Sequence, residues 1–399
     1  MHYIRLLRPP KVTREAGLHL QLLFTITTDL GDSFLQPDVP LDLQITAEIN
    51  ESSNPMTMHL ANKGQILWQS GMRVAKPKIA IPRPLQATLA SGSEINICIL
   101  ARKEMSADGG HNILSHAEKS QGKGQIMPVW VTLSSSNQDV HVSTRRILLD
   151  DAGPAKYIVQ VEEEIGESIA RHIWDAGVLA MCSIAGAYLC PNLECSQQTL
   201  PRAIRATLSS KVSVSILELG CGVGILGIGL ATIFPEMRKD GLEKCTIIMT
   251  DLDEAEERAR SNMQRIATSI SSRDMSLLYE NLDWEHGRKG RFGHQVASRH
   301  WDLIIISDCT YNVDMLPALV ETLSAIESSS RAKQKSQATE TKVFLATKPR
   351  HASERAFFDL MADSQWCVQD SQILGLPVLG HEEESIELYL FQKRQVSGT

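Results

Sequence analysis

One short stretch in the middle of the chain limits its fold more than any other. A strand-like run, Val212 to Leu219, leads into glycines at 220, 222 and 224, and the apolar segment Ile225 to Phe234 follows at once. Strand, glycine turn and helix in direct succession form the first half of a βαβ unit. Glycine there permits φ > 0 and removes a side chain, so a ligand can lie against backbone N–H groups where the helix starts.

The alternation continues to the end of the chain. Cys245 to Thr250, Met275 to Leu282, Trp301 to Ser307, Lys342 to Thr347 and Ile386 to Gln392 read as strands. Asp253 to Ile266, Leu316 to Ile326 and Ser353 to Ala362 read as helices, and Glu162 to Tyr188 as a helix ahead of the sheet. This pattern specifies a doubly wound, mostly parallel α/β sheet of Rossmann-like type. The stretches His286 to His300 and Glu327 to Thr341 read as surface loops. The first is basic and can meet an acidic partner, although a solvated loop is the simpler reading.

The region before residue 150 has a different character. Its short alternating runs, Leu18 to Thr28, Leu41 to Ile49, Gln65 to Ser70, Ile95 to Leu100 and Val129 to Leu133, are strand signals. Lys103 to Gly124 is polar, contains glycine and serine, and reads as a mobile loop. Two domains follow: residues 1–150, a β-rich domain suited to recognising a substrate or partner, and residues 151–399, the α/β domain.

Composition excludes several classes. The chain of 399 residues carries a formal net charge of −7, which disfavours a general electrostatic grip on nucleic acid. No long apolar run could span a membrane, and Pro9 and Pro10 interrupt the start where a signal peptide needs its apolar core. The early Arg5, Arg8, Lys11 and Arg14 leave a mitochondrial presequence open, though paired prolines suit an amphipathic helix poorly. The expected compartment is the cytoplasm, with the nucleus open, and the expected state a monomer. Eight scattered cysteines give neither a disulfide framework nor a metal site, since Cys190 and Cys195 lack a second ligand pair.

The glycine register is ambiguous, because Gly222, Gly224 and Gly227 also spell the dinucleotide fingerprint. Charge separates the readings. Glu218, just before the turn, repels a pyrophosphate but stabilises the ammonium and sulfonium of S-adenosylmethionine. Asp251 ends the next strand, where an α/β sheet delivers an acid to ribose hydroxyls. Asp253 reads as the cap of the following helix. Asp283 and Trp284 end the third strand and suit an adenine, the acid accepting from its amine and the ring covering its face; a loop acid and a core tryptophan fit equally well. Asp308, Cys309, Thr310 and Tyr311 end the fourth strand, where Asp308 and Tyr311 approach both methyl donor and acceptor.

Together these stretches resemble the seven-β-strand protein lysine methyltransferases, the group that includes methylators of chaperones and translation elongation factors. The resemblance rests on Trp174-Asp175-Ala176-Gly177, on Glu218 to Gly224, on Asp283-Trp284 and on Asp308 to Tyr311, which matches the group's Asp-x-x-Tyr signature. It covers about residues 155 to 393. It implies an S-adenosylmethionine-dependent enzyme acting on lysine of a non-histone protein, such as a chaperone or translation factor. It further implies that the glycine turn holds the methionine moiety, that Trp174 packs at the donor pocket, and that Asp308 and Tyr311 are the catalytic pair shaping a lysine channel. A small-molecule N-methyltransferase, a nicotinamide-dependent oxidoreductase and a non-catalytic interaction protein stay open. Methylation of nucleic-acid bases is disfavoured, because Cys309 and Thr310 stand where such enzymes carry two prolines.

Overall fold

A computed structural model describes residues 1–14, 17–49, 56–119, 125–134, 141–150, 157–166, 171–209, 211–267, 273–333, 340–376, 378 and 384–394, without the side chains of 116, 118 and 119. Contacts divide the chain into two units. One comprises Met1–Leu148, Gln160–His172 and Leu376–Glu384; the other comprises Leu149–Val159, Ile173–Gly375 and Ser385–Thr399.

The second unit is built on seven strands: β1 (Ser213–Leu219), β2 (Lys244–Asp251), β3 (Met275–Asn281), β4 (Leu303–Ser307), β5 (Lys342–Thr347), β6 (Trp366–Leu376) and β7 (Glu384–Lys393). Their order is β3-β2-β1-β4-β5-β7-β6. The first five are parallel, and β7 runs antiparallel to β5. The order reverses between β1 and β4, which places a ligand crevice outside the carboxyl ends of those strands. Burial explains why these strands were easy to read. Ile304, Ile305 and Ile306 of β4 are inaccessible to solvent, as sheets covered on both faces require.

Helices α1 (Asp175–Leu189), α2 (Ile225–Thr232), α3 (Asp253–Ala267), α4 (Trp284–Gly287), α5 (Leu316–Arg331) and α6 (Ala356–Asp363) connect the strands or cover them. Helix α2 is buried from Ile225 to Ala231, so its apolar sequence needs no polar face. Helix α3 is amphipathic instead, burying Ala255, Ala259, Asn262 and Ile266 at helical spacing.

The first unit is β-rich. A six-stranded sheet runs in the order Ile158–Glu164, Val142–Leu148, Val129–Leu133, Ile95–Leu100, Gln44–Ile49, Met56–His59, and a three-stranded one joins Ile126–Met127, His2–Leu6 and Phe24–Thr28. Its core includes Phe24, Ile45, Ile97 and Trp68, whose indole N–H donates to the Leu35 carbonyl at 2.8 Å. A buried ion pair joins two neighbouring strands: Arg145 Nε lies 2.5 Å from Glu163 Oε2. Burial alone would raise the Glu163 carboxyl, but Arg145, His172 and Arg5 hold it well below the usual range.

Several expectations fail for identifiable reasons. Glu162 to Glu164 lie in a strand, and α1 starts only at Asp175. The stretch Lys103 to Gly124 holds a helix, Gly110–Lys119, with Ile113, Leu114 and Ala117 buried; residues 120–124 lie outside the described part. The basic stretch His286 to His300 takes in the end of α4 and a second short helix, His294–Ala297. Glu280 anchors that second helix by accepting from the N–H groups of Gln295 and Val296. Helix α5 continues to Arg331, into the stretch expected to be a loop, and 334–339 lie outside the described residues. Strand β6 went unanticipated because its centre, Gln369 to Gln372, is polar.

Candidate active site

The glycine turn connects β1 to α2. Gly220, Gly222 and Gly224 adopt φ of 67, 53 and 87°, the left-handed region that favours glycine. At Gly220 space is also limiting. A Cβ there would stand 2.4 Å from the Cys309 sulfur, so the turn lies directly on the end of β4.

Glu218 points beneath this turn. It is 1% exposed; Oε2 accepts from the Gly227 N–H at 3.0 Å, and Oε1 has no hydrogen-bond partner among the described residues. Burial, and then the nearby charge of Asp251, pushes its carboxyl up to about 8 against the opposing effect of the Gly227 bond. An unbonded, buried carboxylate oxygen at the start of a helix is a place for a cation.

Asp251 ends β2. Its carboxylate accepts from Gly222 N–H and Leu252 N–H, both at 2.7 Å, and so ties the turn to β2. Burial raises this carboxyl as well. Asp283 ends the loop after β3 and accepts from Glu285 N–H at 2.8 Å, capping α4. Trp284 packs partly buried against the core behind β4, near Gly220. Thus Glu218, Asp251 and Asp283 stand at the carboxyl ends of three adjacent parallel strands, and their hydrogen bonds named here all come from neutral backbone N–H groups.

The end of β4 is built differently. Asp308 takes φ of 50°, left-handed for a residue with a side chain. Its Oδ2 accepts from Ala176 N–H at 3.0 Å, and its Oδ1 accepts from Lys348 N–H at 3.3 Å and lies 3.4 Å from Arg350 Nη2. The carboxylate therefore joins the ends of β4 and β5 to the start of α1. Cys309 is buried, its thiol pushed far up by burial, and directed at backbone carbonyls of β1 and β4. The Thr310 hydroxyl bonds to that of Thr347 at 2.7 Å. Tyr311 is 58% exposed. Its phenol is raised by partial burial, then by Cys309, Asp251 and Glu254.

Trp174 caps α1 from an extended conformation, and the Arg350 guanidinium stands over its ring. Asp175, fully buried, meets the Lys348 ammonium at 3.0 Å. Lys348 and Arg350 were not anticipated from sequence, although two cations directly after a parallel strand are a legible signal at a crevice. Among the described residues no group of three or more His, Cys, Asp or Glu side chains could hold a metal ion, and no helix is long and apolar enough to cross a membrane.

The seven-strand order with a glycine turn at the switch point, taken with the family match that follows, makes this a class I S-adenosylmethionine-dependent methyltransferase. The chain belongs to the family described as "Lysine methyltransferase", whose model matches residues 155–364. A UPF0665 family protein of Schizosaccharomyces pombe is 26% identical, over 98% of this chain and 99% of the relative. Among solved structures, an SAM-dependent methyltransferase of Methanosarcina mazei aligns at 11% identity over 46% of this chain and 93% of its own, with a TM-score of 0.29. TYW2 of M. jannaschii in complex with AdoMet aligns at 7% identity over 68% and 94%, with a TM-score of 0.34. These two likenesses are too loose to carry weight beside the strand order and the family match.

Proposed function

We propose that this methyltransferase transfers a methyl group to the ε-amine of lysine on a non-histone protein. The observation that carries the reading is the buried Glu218 carboxylate, one oxygen bonded to Gly227 and the other unbonded, beneath the left-handed glycine turn. Family membership supports lysine as the acceptor.

S-adenosylmethionine, when bound, supplies a methyl group on a cationic sulfur, which makes the carbon electrophilic without further activation. The chain's own task is placement. The turn from Gly220 to Gly224 and Glu218 would hold the methionine end, Asp251 the ribose side, and Asp283 with Trp284 the adenine side. Trp174 would wall the donor pocket. A lysine amine has an unperturbed pKa of about 10.4, so it must be accepted neutral, which a partly desolvated entrance favours. Tyr311, exposed after β4, would line that entrance. Asp308 serves the reaction by fixing the ends of β4, β5 and α1, and through them the direction of approach. The β-rich unit would select the protein substrate, and the cytoplasm, with the nucleus, is the expected setting.

The test is direct. Full-length protein is incubated with tritiated S-adenosylmethionine and a lysate from cells lacking this gene. Label on a protein band, mapped by mass spectrometry to a lysine, is the expected outcome. Label confined to small molecules or to nucleic acid would overturn the acceptor assignment. An Asp308→Ala variant that still binds donor should lose at least about tenfold in transfer, about 1.4 kcal/mol of barrier. Unchanged turnover removes Asp308 from the mechanism.

A further inference from the structure

Two cations, Lys348 and Arg350, follow β5 directly, and each meets a different residue of the segment that opens α1. Lys348 Nζ lies 3.0 Å from Asp175 Oδ2, with side chains 7% and 0% exposed, so this is a buried ion pair. Arg350 stands nearer the surface, 18% exposed, with its guanidinium carbon 5.5 Å from the centre of the Trp174 ring. The same guanidinium lies 3.4 Å from Asp308 Oδ1. Asp308 in turn accepts the N–H groups of Ala176 and Lys348.

The two cations do unlike things. The Lys348 pair is buried, so separating the start of α1 from β5 would leave an uncompensated charge in the interior. Arg350 meets the Asp308 carboxylate at a longer distance and with more of its side chain in contact with solvent. What its contacts do is geometric. A guanidinium presents a flat face to an indole and N–H edges to a carboxylate at the same time, which an ammonium does not. Resting on the function proposed above, we propose that Arg350 is a positioning residue that fixes the Trp174 ring relative to the Asp308 carboxylate. The wall of the donor pocket and the acceptor entrance are thereby set by one side chain.

The experiment measures affinity for S-adenosylmethionine and S-adenosylhomocysteine by calorimetry on the full chain, for the parent, Arg350→Lys, Trp174→Leu and the double variant. Arg350→Lys keeps the charge beside Asp308 and removes the flat face. It should keep its Tm within about 2–4 °C of the parent and bind both ligands roughly threefold to thirtyfold more weakly, the span of a cation–π contact. Because both changes remove one contact, the double variant should bind no more weakly than Trp174→Leu alone. Two results would overturn the proposal: donor affinity unchanged in Arg350→Lys, or losses that simply multiply in the double variant, which mark a general structural role. A parent protein that binds neither ligand would instead overturn the methyltransferase reading itself, so the two failures are distinguishable.

Discussion

The two halves of the crevice rim handle their acids in different ways. Across β1 to β3, Glu218, Asp251 and Asp283 accept from neutral backbone N–H groups, and burial holds the Glu218 and Asp251 carboxyls toward their protonated form until a cation arrives. Across β4 and β5, the acids Asp175 and Asp308 face Lys348 and Arg350, and the charges cancel within the protein. The first half is therefore built to receive a cation, while the second half already contains its cations and holds shape. On the function proposed above, this division would let one sheet edge receive a sulfonium ligand and still keep a rigid entrance for the acceptor.

The largest effect should come from breaking the neutral half. Lys348→Met leaves Asp175 buried without its ammonium, which should cost about 3–5 kcal/mol in urea unfolding. A loss below about 1 kcal/mol would mean that this half does not depend on pairing. Next comes the glycine turn on the other half. Gly220→Ala must take a left-handed backbone, at roughly 1–2 kcal/mol, and meet the Cys309 sulfur, so donor affinity should fall at least about tenfold by calorimetry. Adding Cys309→Ala, which clears the space, should recover part of that loss but not the backbone strain.

Glu218 gives a smaller effect with a definite sign. Its folded-state pKa lies above the ordinary carboxyl value, so it favours the folded protein at low pH. That contribution is lost as pH rises from the ordinary value of 4.5 through about 8. Without donor, the Tm of Glu218→Gln relative to the parent should therefore climb by a few degrees between about pH 5 and about pH 9, while donor affinity drops. A flat Tm difference would show that Glu218 is not isolated in the way its unbonded oxygen indicates. The smallest effect is Tyr311→Phe. This exposed residue should change stability by less than about 0.5 kcal/mol, and calorimetry should find donor affinity unaltered.

What the sequence reveals and hides follows the same division. The half across β1 to β3 was legible, because parallel strands covered on both faces are continuous apolar runs and each ends in an acid at a predictable place. The neutral half was legible only in its acids and in the stretch Trp174 to Gly177. Asp308 was marked, yet its partners Ala176, Lys348 and Arg350 come from segments far apart in the chain, brought together only by the β1-β4-β5 order. Strand β6 and the helix Gly110–Lys119 escaped notice because their polar residues outnumber the few that they bury.

The strand Ile158–Glu164 lies beside Val142–Leu148 in the β-rich unit although the chain has by then already visited the other unit at Leu149–Val159. A scissor cut near residue 150 would thus strip that sheet of its border strand and orphan Arg145 in an oily interior, its counter-charge Glu163 having departed with the other fragment. Each unit is drawn from separate stretches of this polypeptide, so a graft or expression fragment has to follow those stretches and not a single cut.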